Sequence, residues 1–587
     1  MNMWSLGRHR SRRAGRASRG SLVILALLVL AGCEEGPPPA DLESAPDPAD
    51  APGVADPVTG PIDLHLHGGE VIDGTGAAAR VADLLVQDGR IVYVGPPVDP
   101  DTLEILASHD ASGKVVAPGF IDAHAHGDPL STPDFPNFLA QGVTTILLGL
   151  DGSSPPAGEL AGRLAEIESV GIVPNVAYLV GHNTLRGESG LGFGTAPDDS
   201  SLEPLVERVV TGLEAGAFGL SLGLEYTPGQ LADDRELAAM ARPVAERGAV
   251  VMSHMRTEDS GAVGEAVEEL LEVRRRTGAR VHVSHLKVVL GSDPSEAEAI
   301  LDRMEGARGP ERPGSHSPPG RGVTADLYPY LASFTGIAIL FPDWARPPAD
   351  YAAVRSSRGD ELAEHLRNRV NARNGPGATL FGTGPWAGRT LEEAAAAEGR
   401  PFEEILMELG PGGARAAYFV MDPAVMERFL ADPHVAVASD GSPTMGHPRG
   451  YGSFARIIRE HVVERETLTL EEAVRRMTSL PAAIIGLDDE RRVDSRRGRI
   501  EVGWAADLVV FDPTRVVDRA DFEQPHRLAE GFDGVWVNGV SSWEAGTGPV
   551  AGARAGQVLR DRGLPTDPQT PPQDLSETET GPPDNGG

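Results

Sequence analysis

Eight short apolar runs in this 587-residue chain are each followed at once by a residue able to hold a cation, move a proton or donate a hydrogen bond. The first ends in His124-Ala-His126, and the second runs into Asp151. The third ends in His182, and the fourth is followed by Glu225-Tyr226. The fifth ends in His254, the sixth in His285-Leu-Lys287, the seventh in Tyr328 and the eighth in Asp440. Imidazoles and carboxylates gathered at one rim match the ligand demands of zinc or a similar divalent metal. Residues i and i+2 of a strand share a face, so His124 and His126 point the same way, as do His285 and Lys287. A single histidine at a strand end is an ordinary event, but the same coincidence at six ends is not. His65-Leu-His67 is a useful control: it precedes the turn Gly68-Gly69, far from these runs, and reads as ordinary strand sequence. His282 alternates off the face of its neighbours and reads as structural.

The runs that must position these groups begin at Phe120, Val143, Pro174, Ala217, Ala249, Arg280, Val323 and Val435. Helical periodicity fills the gaps, for example over Leu202–Glu214 and Asp234–Arg247. Near-continuously apolar strands alternating with helices predict an α/β fold, a (β/α)8 TIM barrel over residues 117–490, whose strands are buried on both faces. The long gap before the eighth run holds helix-like stretches at Asp360–Val370 and Leu391–Leu409, and predicts an inserted subdomain at about 342–430. Residues 62–116 and 494–545 share a strand-and-turn texture, and predict a small β-sandwich domain built from both ends of the chain.

Hydrophobic residues make up 40% of the chain and charged residues 24%, which supports a sizeable core. The net charge of −34 carries no compensating basic stripe, which excludes nucleic acid as a partner. There is one cysteine, Cys33, so neither an intrachain disulfide nor a cysteine-rich zinc site is available. Residues 1–32 hold six arginines and no acid, followed by the ten-residue apolar run Ser21–Leu30. That run is too short to span a bilayer, which takes about 20 residues, and reads as an export signal. Leu30-Ala-Gly-Cys33 resembles a bacterial lipobox. It implies lipidation at Cys33, a membrane contact limited to that N-terminal anchor, and a place on the periplasmic face of the outer membrane or the cell surface. Residues 33–61 then read as a solvated tether, and 560–587 as a disordered tail.

A family is visible in longer motifs. Val71-Ile-Asp-Gly-Thr-Gly76 and Val116-Ala-Pro-Gly-Phe-Ile-Asp-Ala-His-Ala-His126 resemble the amidohydrolase superfamily. Leu179-Val-Gly-His182, Gly219-Leu-Ser-Leu-Gly-Leu-Glu-Tyr-Thr-Pro-Gly229, Ser253-His-Met-Arg256, Ser284-His-Leu-Lys287 and His447-Pro-Arg-Gly-Tyr-Gly-Ser-Phe454 are similar to N-acyl-D-amino-acid deacylases in particular. The resemblance spans roughly residues 62–545. It implies a metal-bearing barrel, one or two zinc ions, and a small N-acyl amino acid as substrate. There is also a departure. D-aminoacylases place a cysteine metal ligand after the second strand, where this chain has Asp151. Other amidohydrolases carbamylate a lysine after the fourth strand, and neither of the two lysines, Lys114 and Lys287, lies there. A bridging ligand would therefore be a carboxylate, Asp151 first and Glu225 second. Against this stand two plainer readings, Asp151 as a turn residue and Glu225 as a pocket-rim residue.

The expected chemistry is amide hydrolysis. His254, His285 and Asp151 would hold the main metal, with His124 and His126 completing a first or second position. A bound metal brings the pKa of water down toward ~7 and so supplies hydroxide near neutral pH. His182 would help to polarise the carbonyl, and Asp440 would pass a proton from water to the leaving amine. Lys287 and Arg449 would hold the substrate carboxylate, with Tyr226 and Tyr328 as hydroxyl donors. A cyclic amidase, dipeptidase or deaminase remains an alternative, as does a lipid-anchored binding protein without activity. A deaminase normally carries His-x-x-Glu after the fifth strand, whereas here His254 and Glu258 are four apart.

Overall fold

A computed structural model describes residues 60–196, 198–308 and 322–563, all of them within the compact unit Ala55–Gly587. The export signal, Cys33, nearly all of the tether and residues 564–587 of the tail lie outside the described residues. No helix among those described is long and apolar enough to cross a membrane.

The apolar runs form strands that pair in parallel, each with the next in sequence. Phe120–Asp122 pairs with Val143–Leu148, and that strand with Asn175–Tyr178. After a break at Leu179, Val180–Gly181 pairs with Gly219–Gly223, followed in order by Val250–His254, Arg280–Val283, Val323–Leu327 and Val435–Val437. A parallel bridge between Ala125 and Gly441 then links the first strand's end to the last. All six residues of Val143–Leu148 and all five of Val250–His254 are buried, so these strands are covered on both faces rather than alternating between core and solvent. The helices Ala157–Val170, Glu203–Glu214, Asp234–Glu246, Val263–Thr277 and Pro294–Arg308 pack each against the next. Asp233 caps the third of these, accepting from the backbone N–H groups of Arg235 and Glu236.

The inserted segment is shifted from the expected 342–430. It begins at Ala332–Gly336, which pairs antiparallel with Arg415–Phe419, and that strand pairs with Thr379–Phe381. Helix Pro423–Leu430 packs on Pro294–Arg308 and so belongs to the surrounding helices, not to the insertion. The helix expected over Leu391–Leu409 is two, Leu391–Glu398 and Phe402–Leu409, parted where Gly399 turns left-handed (φ 65°) ahead of Pro401.

Both ends of the chain meet in one sheet. Val115–Pro118 runs antiparallel to Leu508–Phe511 inside a continuous nine-stranded sheet that reaches Gly548–Pro549. The sheet is hydrogen-bonded as one, and its two faces do different work. Leu508 and Val510 join Leu64, Leu66 and Trp536 in a core of their own. The alternate residues Val509 and Phe511 join Phe120 and Val143 in the core of the parallel strands. Residues 560–563, expected to belong to the tail, are described and held in place. Val558 and Leu559 are buried, and Asp561 forms a buried ion pair with Arg492.

Candidate metal centre

Three of the expected site residues sit on strained backbone. Asp151 (φ 53°), His285 (φ 36°) and Asp440 (φ 47°) are all left-handed, a conformation rare for residues with a side chain. Each lies just past a strand end, where the chain must turn sharply while its side chain stays over the strands. The Asp151 turn is held from below. Ser221 Oγ accepts from the Gly152 N–H at 3.1 Å and donates to the Gly149 carbonyl at 2.6 Å. Gly223 leaves the necessary room, since a Cβ there would lie 2.2 Å from the Asp151 carbonyl oxygen.

So placed, Asp151 faces four imidazoles. Its Oδ1 lies 3.3 Å from His124 Nε2, 3.4 Å from His285 Nε2 and 3.7 Å from His254 Nδ1. Its Oδ2 lies 3.5 Å from His126 Nε2, which is in turn 3.1 Å from Asp440 Oδ1. Tetrahedral ligands bonded at about 2.1 Å stand about 3.4 Å apart, so these are separations that a shared metal sets. Beside the group Glu225, His254 and Glu258, the donors form two overlapping groups, His124, His126, Asp151 and Asp440, and Asp151, His254 and His285. Asp151 is common to both. Asp151 Oδ1 and both ring nitrogens of His124 are buried with no hydrogen-bond partner among the described residues, which is costly unless another group satisfies them. The donor set fits one or two zinc ions.

Each of three imidazoles also turns its other nitrogen toward a carboxylate. His254 Nε2 lies 3.0 Å from Glu225, His285 Nδ1 3.0 Å from Glu258 and His124 Nδ1 3.6 Å from Asp326. Such partners fix the ring orientation and leave the inward nitrogen free to ligate. Asp326 does more, accepting from the His285 backbone N–H at 2.7 Å and from His282. Burial by itself would lower the pKa of His254, but Glu258, Asp151 and Glu225 push it up to about 10. Burial likewise opposes ionisation of Asp151, yet His124 and its other imidazole neighbours hold it well below the usual carboxylate range.

These groups open into a cavity of about 510 Å³ also lined by Lys287, Tyr328, Arg373, Arg415 and Arg449. Arg449 lies 2.9 Å from Asp440 and holds that carboxyl below its ordinary range against the effect of burial. The same guanidinium sits over the Tyr328 ring, whose hydroxyl has no hydrogen-bond partner among the described residues. The Tyr226 ring lies tilted beside His254, their centroids 4.4 Å apart, and its hydroxyl accepts from Thr335.

Two expected roles change. His182 is fully buried, with Nε2 2.7 Å from Glu236, and it does not line the cavity. Glu236 also receives Arg186, so His182 belongs to a buried ion cluster behind the third and fourth strands and reaches no carbonyl. Lys287 does line the cavity, but its ammonium donates to Glu258 at 2.5 Å and to the His285 carbonyl at 2.9 Å, and lies 2.7 Å from His285 Nδ1. It braces His285 and has little left for a substrate. The control pair lies elsewhere, in strand Leu64–Val71, where His65 bonds to Asp83.

A model of the amidohydrolase family matches residues 347–542. An N-acyl-D-glutamate deacylase of Alcaligenes xylosoxydans xylosoxydans is 34% identical over 525 residues, 85% of this chain and 96% of that protein. The chain belongs to the N-acyl-D-amino-acid deacylase family of amidohydrolases. Among solved structures, the N-acyl-D-glutamate deacylase of Bordetella bronchiseptica, complexed with zinc and a phosphonate mimic of the tetrahedral intermediate, superposes with a TM-score of 0.72 at 33% identity. The match covers 85% of this chain and 100% of that one. A D-aminoacylase studied for its binuclear metal centre gives 0.70 at 32%, with the same coverage.

Several working parts of this deacylase-family site escape sequence reasoning. Glu258 and Asp326 orient ligands, and Ser221 pins a turn. Asp326 had a legible signal, an acid inside the apolar run Val323-Thr-Ala-Asp-Leu327. Arg415 had none, because it reaches the cavity from the insertion, 130 residues beyond His285 in sequence.

Proposed function

We propose that this chain is a zinc-dependent hydrolase that cleaves the amide bond of N-acyl-D-amino acids. The observation that carries the reading is the single oxygen of Asp151 facing His124, His254 and His285, beside the ion pair of Asp440 and Arg449. Bound by His124, His126, Asp151, His254 and His285, zinc would supply Lewis acidity to the amide carbonyl and to water. The chain's own groups do the rest. Asp440, kept ionised by Arg449, takes the proton of the attacking water at Oδ1 and returns it to the departing amine. Arg415 makes no ion pair with any described residue. With the free hydroxyl of Tyr328 and with Arg449 it is the anchor for a substrate carboxylate.

The eight parallel strands are read as a closed (β/α)8 barrel, a reading supported by the Ala125–Gly441 bridge, and the nine-stranded sheet as the small β-sandwich, supported by the single core that Leu64 and Leu66 share with Leu508 and Val510. Residues 1–33 support export and lipidation at Cys33. Cys33→Ser should abolish incorporation of labelled palmitate; unchanged labelling would remove the anchor. The decisive assay is amine release by zinc-loaded protein from matched N-acetyl-D- and N-acetyl-L-amino acids. Release from the D series, lost on chelation and restored by zinc, is expected. Preference for the L series, or turnover indifferent to chelation, refutes the reading.

A further inference from the structure

A second cavity of about 420 Å³ adjoins the metal centre. The two share Glu225, Tyr226, Thr335, Gly336, Ile339, Pro411 and Gly412 as a common wall. Their other walls differ. Lys287, Arg373, Arg415 and Arg449 line only the first cavity. The second is walled mainly by apolar groups, Phe193, Ala338, Ile339, Pro347 and Pro411 among them. Its one cation, Arg346, is paired with Asp343. Phe193, among the more exposed large apolar residues at 47%, stands at this cavity.

The direction of an amide through this pair of cavities follows from its chemistry. The α-carboxylate and the side chain hang from the carbon bonded to nitrogen, while the acyl chain leaves from the opposite side of the carbonyl. Asp440, which serves the nitrogen, is joined to Arg449, and Tyr328 lies beneath both Arg449 and Lys287. That is the amino-acid side. Glu225 holds His254 and the Tyr226 ring lies tilted beside it, and these two residues belong to the wall that the metal centre shares with the apolar cavity. The acyl chain is thereby aimed at apolar surface. An acetyl methyl would leave this space almost empty, whereas pockets of about 300–1,000 Å³ ordinarily enclose much larger ligands.

We infer that the apolar cavity is an acyl-chain subsite and that the substrates of this chain are N-acyl-D-amino acids with medium or long fatty acyl groups. The inference rests on the hydrolase reading above and deepens it. A fully buried methylene is worth up to about fourfold in binding, so a ten-carbon chain needs only partial burial to gain a large preference.

The test is the acyl-length profile of kcat/KM for N-acetyl-, N-butanoyl-, N-octanoyl- and N-decanoyl-D-glutamate with zinc-loaded protein. A rise of at least about tenfold from acetyl to decanoyl is expected. Ala338→Phe, which places a ring in the cavity, should cut the decanoyl-to-acetyl ratio about tenfold. Gly412→Leu, which meets nothing within 4 Å of its Cβ, provides a second variant should the first fail to fold. A flat or falling profile with turnover of the acetyl compound overturns the subsite and leaves the hydrolase reading intact. If no compound is turned over, the hydrolase reading fails, and calorimetric binding of the same four compounds decides the subsite. Tighter decanoyl binding that is lost in Ala338→Phe then supports it, and equal affinities refute it.

Discussion

His182 follows the third strand of the parallel array and His254 closes the fifth, with Gly219–Gly223 between them, and each is a buried imidazole with Nε2 on a carboxylate, Glu236 at 2.7 Å and Glu225 at 3.0 Å. Only the second nitrogen separates them. His254 Nδ1 lies 2.9 Å from His285 Nε2 and faces Asp151, whereas His182 Nδ1 is buried without a partner. Their protons follow. Burial, helped by Arg186 and Arg256 against Glu236, lowers the pKa of His182, while the carboxylates around His254 lift it to about 10. A histidine at a strand end thus becomes a ligand candidate through what its far nitrogen meets, and His182, which opens helix His182–Glu188 beyond the third strand, joins none of the donor groups.

The contrast breaks most sharply on alanine. His254→Ala should lose zinc and lower kcat/KM on the order of 10³-fold or more, because several kcal/mol of transition-state stabilisation leave with the metal; metal analysis and assay of one preparation check both. Glu225→Gln should weaken zinc affinity about 10–100-fold by releasing the outer nitrogen of His254, read by competition with a chelator. Zinc must displace the proton that His254 holds up to about 10. Apparent affinity should therefore rise with pH, about tenfold per unit for each proton displaced, and a pH-independent Kd between 6 and 8 would count against this ligand. The smallest functional effect belongs to the other imidazole. His182→Gln should keep zinc stoichiometry and kcat/KM within about threefold, while chemical denaturation shows about 1–3 kcal/mol of lost stability. A large loss of activity with stability intact would restore His182 to the reaction.

The legible part of this molecule was what local pattern and chemistry determine together. Apolar runs followed by His124, Asp151, His254, His285 and Asp440 located strands and donors at once, because a strand end fixes where its next side chain goes. What resisted reading depends on partners remote in sequence. His182 looked like its neighbours until Glu236 and Arg186 enclosed it, and Lys287 looked like a free cation until Glu258 faced it. Nothing in Val558-Leu559 announces that this segment bridges to Val176, at the far end of the third strand from the donors. The insertion's edges were blurred for the same reason, since only its pairing partner shows Ala332 to be strand.

The bridge between Ala125 and Gly441 joins residues separated by more than half of the chain. Until that contact forms, His124 and His126 have no Asp440, and Val115–Pro118 waits longer still for Leu508–Phe511. Contacts of such long sequence separation form slowly. During synthesis the nascent polypeptide can therefore assemble only a partial coordination sphere until Asp440 and then Leu508–Phe511 have emerged.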